Sequence, residues 1–203
     1  SMFGKCYNLK DIEIPEEVTE IGEGAFEGCA SLESLKIPNN VTSIGDSAFY
    51  GCTNLTSIEI PYGVSKIEDY TFSECTNLTE VSIPESVTMI GESAFGYCES
   101  LTRIVIPETV TKIDYSAFQY CRNLEEINIP SNMETIKNRS FQDCTALTSL
   151  KIPESITSIE TLSFMDSGLK DIYYAGTEEQ WNAIDNPDKD SILKRVTIHF
   201  NSK

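Results

Sequence analysis

Residues 32–52 decide the fold: Leu32-x-x-Leu35-x-Ile37-Pro38-x-x-Val41-x-x-Ile44-Gly45-x-x-Ala48-Phe49-x-x-Cys52. The same apolar pattern recurs every 23 residues, without an insertion up to Phe164, although charged residues replace Gly45 in four of the coils. Three residue types mark this period, namely prolines at Pro15, Pro38, Pro61, Pro84, Pro107, Pro130 and Pro153, cysteines at Cys6, Cys29, Cys52, Cys75, Cys98, Cys121 and Cys144, and phenylalanines at Phe3, Phe26, Phe49, Phe72, Phe95, Phe118, Phe141 and Phe164. A period of this length is typical of a solenoid in which each repeat forms one coil.

The apolar positions of one unit follow neither a single helical period nor a single strand period. Leu35 and Ile37 alternate with polar residues, which predicts a short strand with one buried face, ended by Pro38. The next segment carries Val41 and Ile44 inward, and residues 48–52 predict a tight helical turn or a 3₁₀ segment. Because one unit cannot bury its apolar side alone, consecutive coils must stack and their strands must pair in parallel. We therefore predict an α/β-type solenoid dominated by short parallel strands, with roughly eight coils forming a curved rod about 40 Å long that has a concave sheet.

The composition excludes several classes of partner. The 203 residues include 32 Asp and Glu against 15 Lys and Arg, which gives a formal net charge of -17. Most of such a surface would repel a phosphate backbone or an anionic bilayer, so we predict no nucleic-acid binding. No apolar run reaches the roughly 20 residues that a membrane-spanning helix needs, so we also predict no membrane insertion.

Few residues could carry chemistry. All seven cysteines share one repeat position beside a phenylalanine, which predicts a buried ladder of free thiols rather than a zinc site. His199 is the only histidine, so most histidine-dependent catalytic sites are excluded, and we expect it to point to solvent from the last strand. We predict that the protein is not an enzyme and that it uses no cofactor and no metal. A minor alternative is calcium in a C-terminal loop at Asp185, Asp188 and Asp190, which lacks the spacing of an EF-hand.

Acidic pairs are frequent, and Glu125-Glu126 is an example. On a repetitive surface they indicate solvating charge rather than the carboxylate pair of a glycosidase. A hydrolase acting through surface carboxylates would require a deep cleft lined by two acids.

The segment Ser47-Ala48-Phe49-x-x-Cys52-x-x-Leu55, followed by Ile60-Pro61, resembles the BspA-like subgroup of leucine-rich repeats. The resemblance covers Phe3 to Tyr174. It implies a right-handed coil of 23-residue units with little regular helix. BspA-like proteins are secreted or cell-surface proteins of host-associated bacteria and some parasitic protists. The resemblance therefore implies a secreted or cell-surface location, with adhesion to host matrix proteins and cell aggregation as roles.

The two ends differ from the middle. After Phe164 the register slips by one residue, residues 177–180 form a capping box that predicts a short helix through Trp181 and Ile184, and residues 185–190 predict a loop. Alternation at Val196, Ile198 and Phe200 predicts a last strand that pairs with the open end of the sheet. We therefore predict a repeat array at 1–174 and a small C-terminal α/β cap at 175–203. Because the sequence enters the pattern inside a repeat, we expect a longer natural polypeptide, and either a monomer or a weak homodimer through the exposed N-terminal coil.

Two surfaces are candidates for ligand binding. The first is the concave sheet, where exposed residues flank the buried Leu35 and Ile37 positions and vary from coil to coil. Within it we select Glu80, Arg103, Val105, Glu126, Asn128, Lys151 and Tyr173. The alternative is an aromatic patch on the helical-turn side, formed by Tyr97, Tyr115 and Tyr120. Those tyrosines could equally serve only to cover the phenylalanine rings.

The sequence thus predicts a non-catalytic binding or adhesion protein that recognises a protein or a glycan through the repeat surface. The expected setting is a host–microbe interface, with host extracellular matrix as a candidate partner. The alternative is a structural spacer or stalk that presents another domain of a longer surface protein.

Overall fold

The computed structural model describes residues 3–187 and 195–202. The chain coils into a solenoid with short strands on two of its sides. We call one side the first strand face; its strands are β3 (Ser57–Glu59), β5 (Glu80–Ser82), β7 (Arg103–Ile104), β9 (Glu126–Ile127), β11 (Ser149–Ile152), β13 (Asp171–Tyr174) and β14 (Thr197–His199). The second strand face consists of β1 (Glu20–Ile21), β2 (Ser43–Ile44), β4 (Lys66–Ile67), β6 (Met89–Ile90), β8 (Lys112–Ile113), β10 (Thr135–Ile136) and β12 (Ser158–Ile159).

Within the described residues, all strand pairs are parallel, and within the repeats they align residues one repeat apart. Ser57 pairs with Glu80 on the first strand face, and Lys66 pairs with Met89 on the second. This register confirms the predicted solenoid of short parallel strands. The first strand face is divided into β3-β5, β7-β9 and β11-β13-β14, so strand pairing is interrupted twice between β3 and β14.

The second strand face was not predicted from the sequence, which indicated only an inward-pointing segment at Val41 and Ile44. Its strands are two residues long, too short to show an alternating pattern. They form because backbone groups of neighbouring coils meet in register. The Thr42 N–H donates to the Thr19 carbonyl at 2.9 Å, and the Gly45 N–H donates to the Ile21 carbonyl at 2.8 Å.

The third side of each coil, which we call the turn side, is a ladder of tight turns rather than a continuous helical segment. In residues 45–52, bonds within the coil, such as Cys52 N–H to the Phe49 carbonyl at 3.1 Å, alternate with bonds to the next coil, such as Phe49 N–H to the Thr71 carbonyl at 2.9 Å. This alternation requires left-handed backbone at Ser47 (φ 54°) and Gly51 (φ 68°). The expected tight turn is therefore present, but the expected 3₁₀ segment is not.

Two ladders of identical side chains run along the core, beside buried Leu, Ile and Val residues. Phenylalanine rings of successive coils stack with centroids 5.3 to 5.9 Å apart, from Phe3 to Phe164. Beside them the cysteines are free, and the thiol of Cys52 donates to the Phe26 carbonyl at 3.2 Å, as its counterparts do along the ladder. The prediction of a buried ladder holds from Cys29 to Cys144 but is wrong for Cys6, which lies exposed on the first coil.

The C-terminal region follows the predicted order of elements. Helix α1 (Glu178–Ala183) has the expected capping box, with the Gln180 N–H donating to Thr177 Oγ1 at 3.2 Å. Trp181 is buried against Tyr174, with ring centroids 5.2 Å apart, and β14 pairs with β13. Asp185 is not in a free loop: it forms an isolated bridge with Ser158, whereas Asp188 and Asp190 lie outside the described residues. The division at residue 174 stays a prediction. Tyr174 and Trp181 lie in the same apolar core as the repeats.

Candidate ligand-binding surfaces

Five of the seven residues selected on the sheet line one shallow depression on the first strand face. Its volume is about 340 Å³, and we call it the strand-face depression. It is lined by Arg103, Ile104, Val105, Glu125, Glu126, Ile127, Asn128, Ser149 and Lys151. The two other selected residues, Glu80 on β5 and Tyr173 on β13, lie outside this lining.

The depression lies where the sheet is interrupted. Strand β9 pairs with β7, and β11 pairs with β13, but β9 and β11 do not pair with each other. Residues of both strands at this break, among them Glu126 on β9 and Ser149 on β11, line the depression. The interruption therefore distinguishes this part of the first strand face from its continuous parts.

Arg103 and Glu126 form an ion pair across β7 and β9. The Arg103 Nε lies 3.1 Å from Glu126 Oε2, and the side chains are 68% and 69% exposed. At such exposure an ion pair adds little to stability, about 0–1 kcal/mol. Its effect is to orient a guanidinium on the surface, where it can still offer donors to a ligand.

Val105 and Asn128 differ in whether their side chains are available to contact a ligand. Val105 is 57% exposed among charged neighbours, which makes it an apolar contact point. The Asn128 amide is already engaged, because its Oδ1 accepts from the Ile106 N–H and its Nδ2 donates to the Ile106 carbonyl, both at 2.7 Å. Asn128 thus extends the pairing between β7 and β9 by a side chain, a role that its repeat position alone could not indicate.

Tyr173 and His199 form a stack on β13 and β14. Their ring centroids are 4.6 Å apart, and His199 Nε2 lies 2.7 Å from Asp171 Oδ1. His199 is therefore half-buried and bonded rather than simply directed to solvent, as the sequence suggested. Tyr173 remains 36% exposed, so part of its ring is accessible.

The aromatic patch predicted on the turn side is only partly assembled. Tyr97 and Tyr120 stack with centroids 4.5 Å apart, and the Arg122 guanidinium lies over the Tyr120 ring at 5.6 Å. Tyr115 does not join this stack; the Lys137 ammonium lies over its ring at 5.4 Å. On the turn side, the rings of Tyr115 and Tyr120 therefore contact cationic side chains of the same chain.

A second cavity on the turn side was not predicted as a site. Its volume is about 580 Å³, and it is lined by Glu23, Gly24, Glu27, Ser47, Tyr50 and Tyr70, which we call the tyrosine cavity. These residues come from three successive coils. No single repeat shows the combination, and comparing equivalent positions in adjacent coils is the signal that could have found it.

The buried thiols offer little reactivity. Burial raises the pKa of the Cys52 and Cys144 thiols to about 12, and it raises the pKa of Cys75, Cys98 and Cys121 well above the ordinary value. These groups therefore stay protonated at neutral pH, and a protonated thiol is a poor nucleophile and metal ligand. In residues 3–187 and 195–202, no three groups of the metal-binding types cluster closely enough to hold an ion.

The described part of the chain contains no helix with the length and apolar character needed to cross a membrane.

Comparison with known proteins agrees with this architecture. The chain matches the BspA type leucine rich repeat region over residues 1–125 and again over residues 74–184. A leucine-rich repeat protein from Bacteroides ovatus is 34% identical over 77% of this chain and 46% of its own, with a TM-score of 0.73. A leucine rich repeat protein from T. pallidum is 33% identical over 73% of this chain and 70% of its own, with a TM-score of 0.70.

A more distant structure shares the fold alone. The pneumococcal vaccine antigen PcpA is 15% identical over 91% of this chain and 44% of its own, with a TM-score of 0.58. This chain thus spans less than half the length of both the B. ovatus protein and PcpA. No curated protein matches it.

Stacked coils with in-register parallel strands, a continuous apolar ladder and an open sheet face define a leucine-rich repeat protein. Within that class, the chain belongs to the BspA type. Proteins of this repeat family are generally not enzymes.

Proposed function

We propose that this protein is a non-catalytic binding module, secreted or displayed on a cell surface, that recognises a protein or glycan through the strand-face depression. The observation that carries the proposal is the convergence of Arg103, Val105, Glu126, Asn128 and Lys151 on one depression. The residues combine an oriented guanidinium, an exposed apolar side chain and carboxylates. A polar rim around an apolar contact point is the composition expected of a recognition surface.

Membership in the BspA type supports the location and the adhesive role, because that resemblance implies a secreted or cell-surface protein of a host-associated organism. Host extracellular matrix is therefore the first class of partner to test. The protonated thiols and the open setting of Glu125 and Glu126 favour binding over catalysis, since a hydrolase would need two acids in a deep cleft.

The test is a binding screen against purified host matrix proteins and a glycan array. The variant Arg103→Ala/Val105→Asp removes the guanidinium and places a charge on the apolar contact point. The matched control is Lys36→Ala, which removes an exposed cation at the repeat position of Val105, three coils away. We expect a ligand whose affinity falls at least tenfold in the double variant, about 1.4 kcal/mol, and stays unchanged in the control.

A ligand bound equally by the wild type and the double variant would place recognition elsewhere. Absence of any ligand in the screen would favour the alternative of a spacer that presents another domain.

A further inference from the structure

The tyrosine cavity has the chemistry of a site for a cation. Residues 24, 47 and 70 occupy the same repeat position in three coils and are glycine, serine and tyrosine. The small residues at the two preceding coils leave space beside the Tyr70 ring, which is 38% exposed. Glu23, Glu27 and the Tyr50 ring complete the lining.

Hydrogen bonds fix both rings. The Tyr70 hydroxyl donates to Glu92 Oε1 at 2.6 Å, and the Tyr50 hydroxyl donates to Glu74. The bond to Glu74 raises the pKa of Tyr50 to about 12, and the bond to Glu92 raises the pKa of Tyr70. The hydroxyls thus stay protonated and bonded at neutral pH, and the ring surfaces remain available.

The same side of the solenoid shows what such rings bind. Over Tyr120 lies the Arg122 guanidinium, and over Tyr115 lies the Lys137 ammonium, each within about 6 Å of the ring centroid, the range in which a cation is attracted to an aromatic face. Both cations come from the chain itself. In the C-terminal coils, therefore, the chain supplies the partners of its own tyrosines.

The residues that line the tyrosine cavity include no such partner. None of the residues lining it is basic. The turn segments 22–29, 45–52 and 68–75 contain no Lys, Arg or His, and their charged residues are Glu23, Glu27, Asp46, Glu68, Asp69 and Glu74. The cavity therefore offers tyrosine rings, as at Tyr115 and Tyr120, but none of its lining residues is a cation. A cation bound there would come from another molecule.

We propose that the tyrosine cavity binds an arginine or lysine side chain of a basic partner protein. The cationic group lies against the Tyr70 ring, and Glu23 and Glu27 neutralise its charge. The net charge of -17 attracts a basic protein over a distance and raises its association rate. Arginine is the preferred residue, because its planar guanidinium both stacks on a ring and forms a forked pair with a carboxylate. This site lies on a different side from the strand-face depression and does not depend on the function proposed there.

The probe is a fluorescein-labelled peptide of six Gly-Arg repeats, with six Gly-Lys repeats and six Gly-Glu repeats for comparison, measured by fluorescence anisotropy. We expect the arginine peptide to bind most tightly, the lysine peptide more weakly and the glutamate peptide not at all. Tyr70→Ala should weaken the arginine peptide roughly two- to fivefold, whereas Tyr70→Phe, which keeps the ring, should bind within about twofold of wild type.

Two double variants of equal net charge distinguish binding at the cavity from general attraction to the negative charge of the protein. Glu23→Gln/Glu27→Gln removes the two carboxylates of the cavity, and Glu13→Gln/Glu59→Gln removes two exposed carboxylates that share one repeat position outside it. The first should weaken binding several-fold more than the second. Equal losses in both, or equal binding by Tyr70→Ala and Tyr70→Phe, would mean that the peptide only senses the overall negative charge, and would overturn the proposal. Thermal unfolding of each variant verifies that it is folded.

Discussion

Replacing Phe95 by alanine tests the ladder that holds the array together. Phe95 is fully buried and stacks on Phe72 and on Phe118, each at a centroid distance of 5.5 Å. A buried Phe→Ala change costs about 3–5 kcal/mol, and the stacking contacts contribute about 0.5–1.5 kcal/mol each within that sum. In a chain of this size 1 kcal/mol shifts Tm by about 2–4 °C, so we expect Tm to fall by roughly 6–20 °C.

The position in the ladder adds a second expectation. Because each coil contacts only its neighbours, a gap at Phe95 separates the coils before it from those after it. Unfolding of the variant should therefore be broader than that of the wild type, or show two steps. Calorimetry with circular dichroism at two wavelengths measures both the shift and the loss of cooperativity.

The matched control is Phe3→Ala. Phe3 is half-buried and stacks on a single ring, that of Phe26, at 5.5 Å. The loss there should be less than half of that at Phe95, with a single sharp transition. If Phe95→Ala lost less than about 1 kcal/mol, or no more than Phe3→Ala, the argument that the stacked rings carry the stability would be wrong.

Three further predictions concern glycine, thiols and pH. Gly22 and Gly91 share one repeat position but differ in the space around them. A Cβ at Gly22 would meet nothing within 4 Å, whereas a Cβ at Gly91 would lie 2.8 Å from a backbone nitrogen of the previous coil. In urea unfolding, Gly22→Ala should therefore be neutral or stabilised by about 0.4–1 kcal/mol, and Gly91→Ala should be destabilised by more than that. With a chromogenic disulfide reagent, the native protein should expose one fast-reacting thiol, that of Cys6, and Cys6→Ser should abolish this phase while the remaining thiols react only on unfolding. The pKa of Tyr50 is raised in the folded state, so its hydrogen bond stabilises that state fully below pH 10. This contribution is lost as the pH rises towards about 12. The Tyr50→Phe variant should therefore show a flatter dependence of Tm on pH between these values.

The period of the sequence was enough to predict the stacking and the register. Residues 23 positions apart must be neighbours once the coils stack, so the row that brings Arg103 beside Glu126 follows from the sequence alone. The identical spacing of Phe and Cys likewise predicted both ladders of the core. For this reason five of the seven residues selected on the sheet line one depression.

What the sequence could not predict depends on contacts between different positions of different coils. The second strand face rests on two-residue strands whose bonds join neighbouring coils, and a two-residue strand carries no detectable period. The interruption between β9 and β11 and the amide of Asn128 on Ile106 have no counterpart in the repeat pattern. The tyrosine cavity needs Glu23, Ser47 and Tyr70 together, and each of them is unremarkable within its own repeat.

The strict alignment of the strands also fixes how this surface can change its size. Gain or loss of a whole coil keeps every row in register, whereas a one-residue shift within a strand would move its buried side chains to the outside. The separation of two contact points on one row therefore changes in steps of about 4.8 Å, the spacing of neighbouring strands. Deletion of residues 92–114 would leave both ladders intact but bring Glu80 beside Glu126, so two carboxylates would meet where an arginine now lies. The length of the array can thus change in fixed increments, and each coil added or removed also changes which charged residues are neighbours.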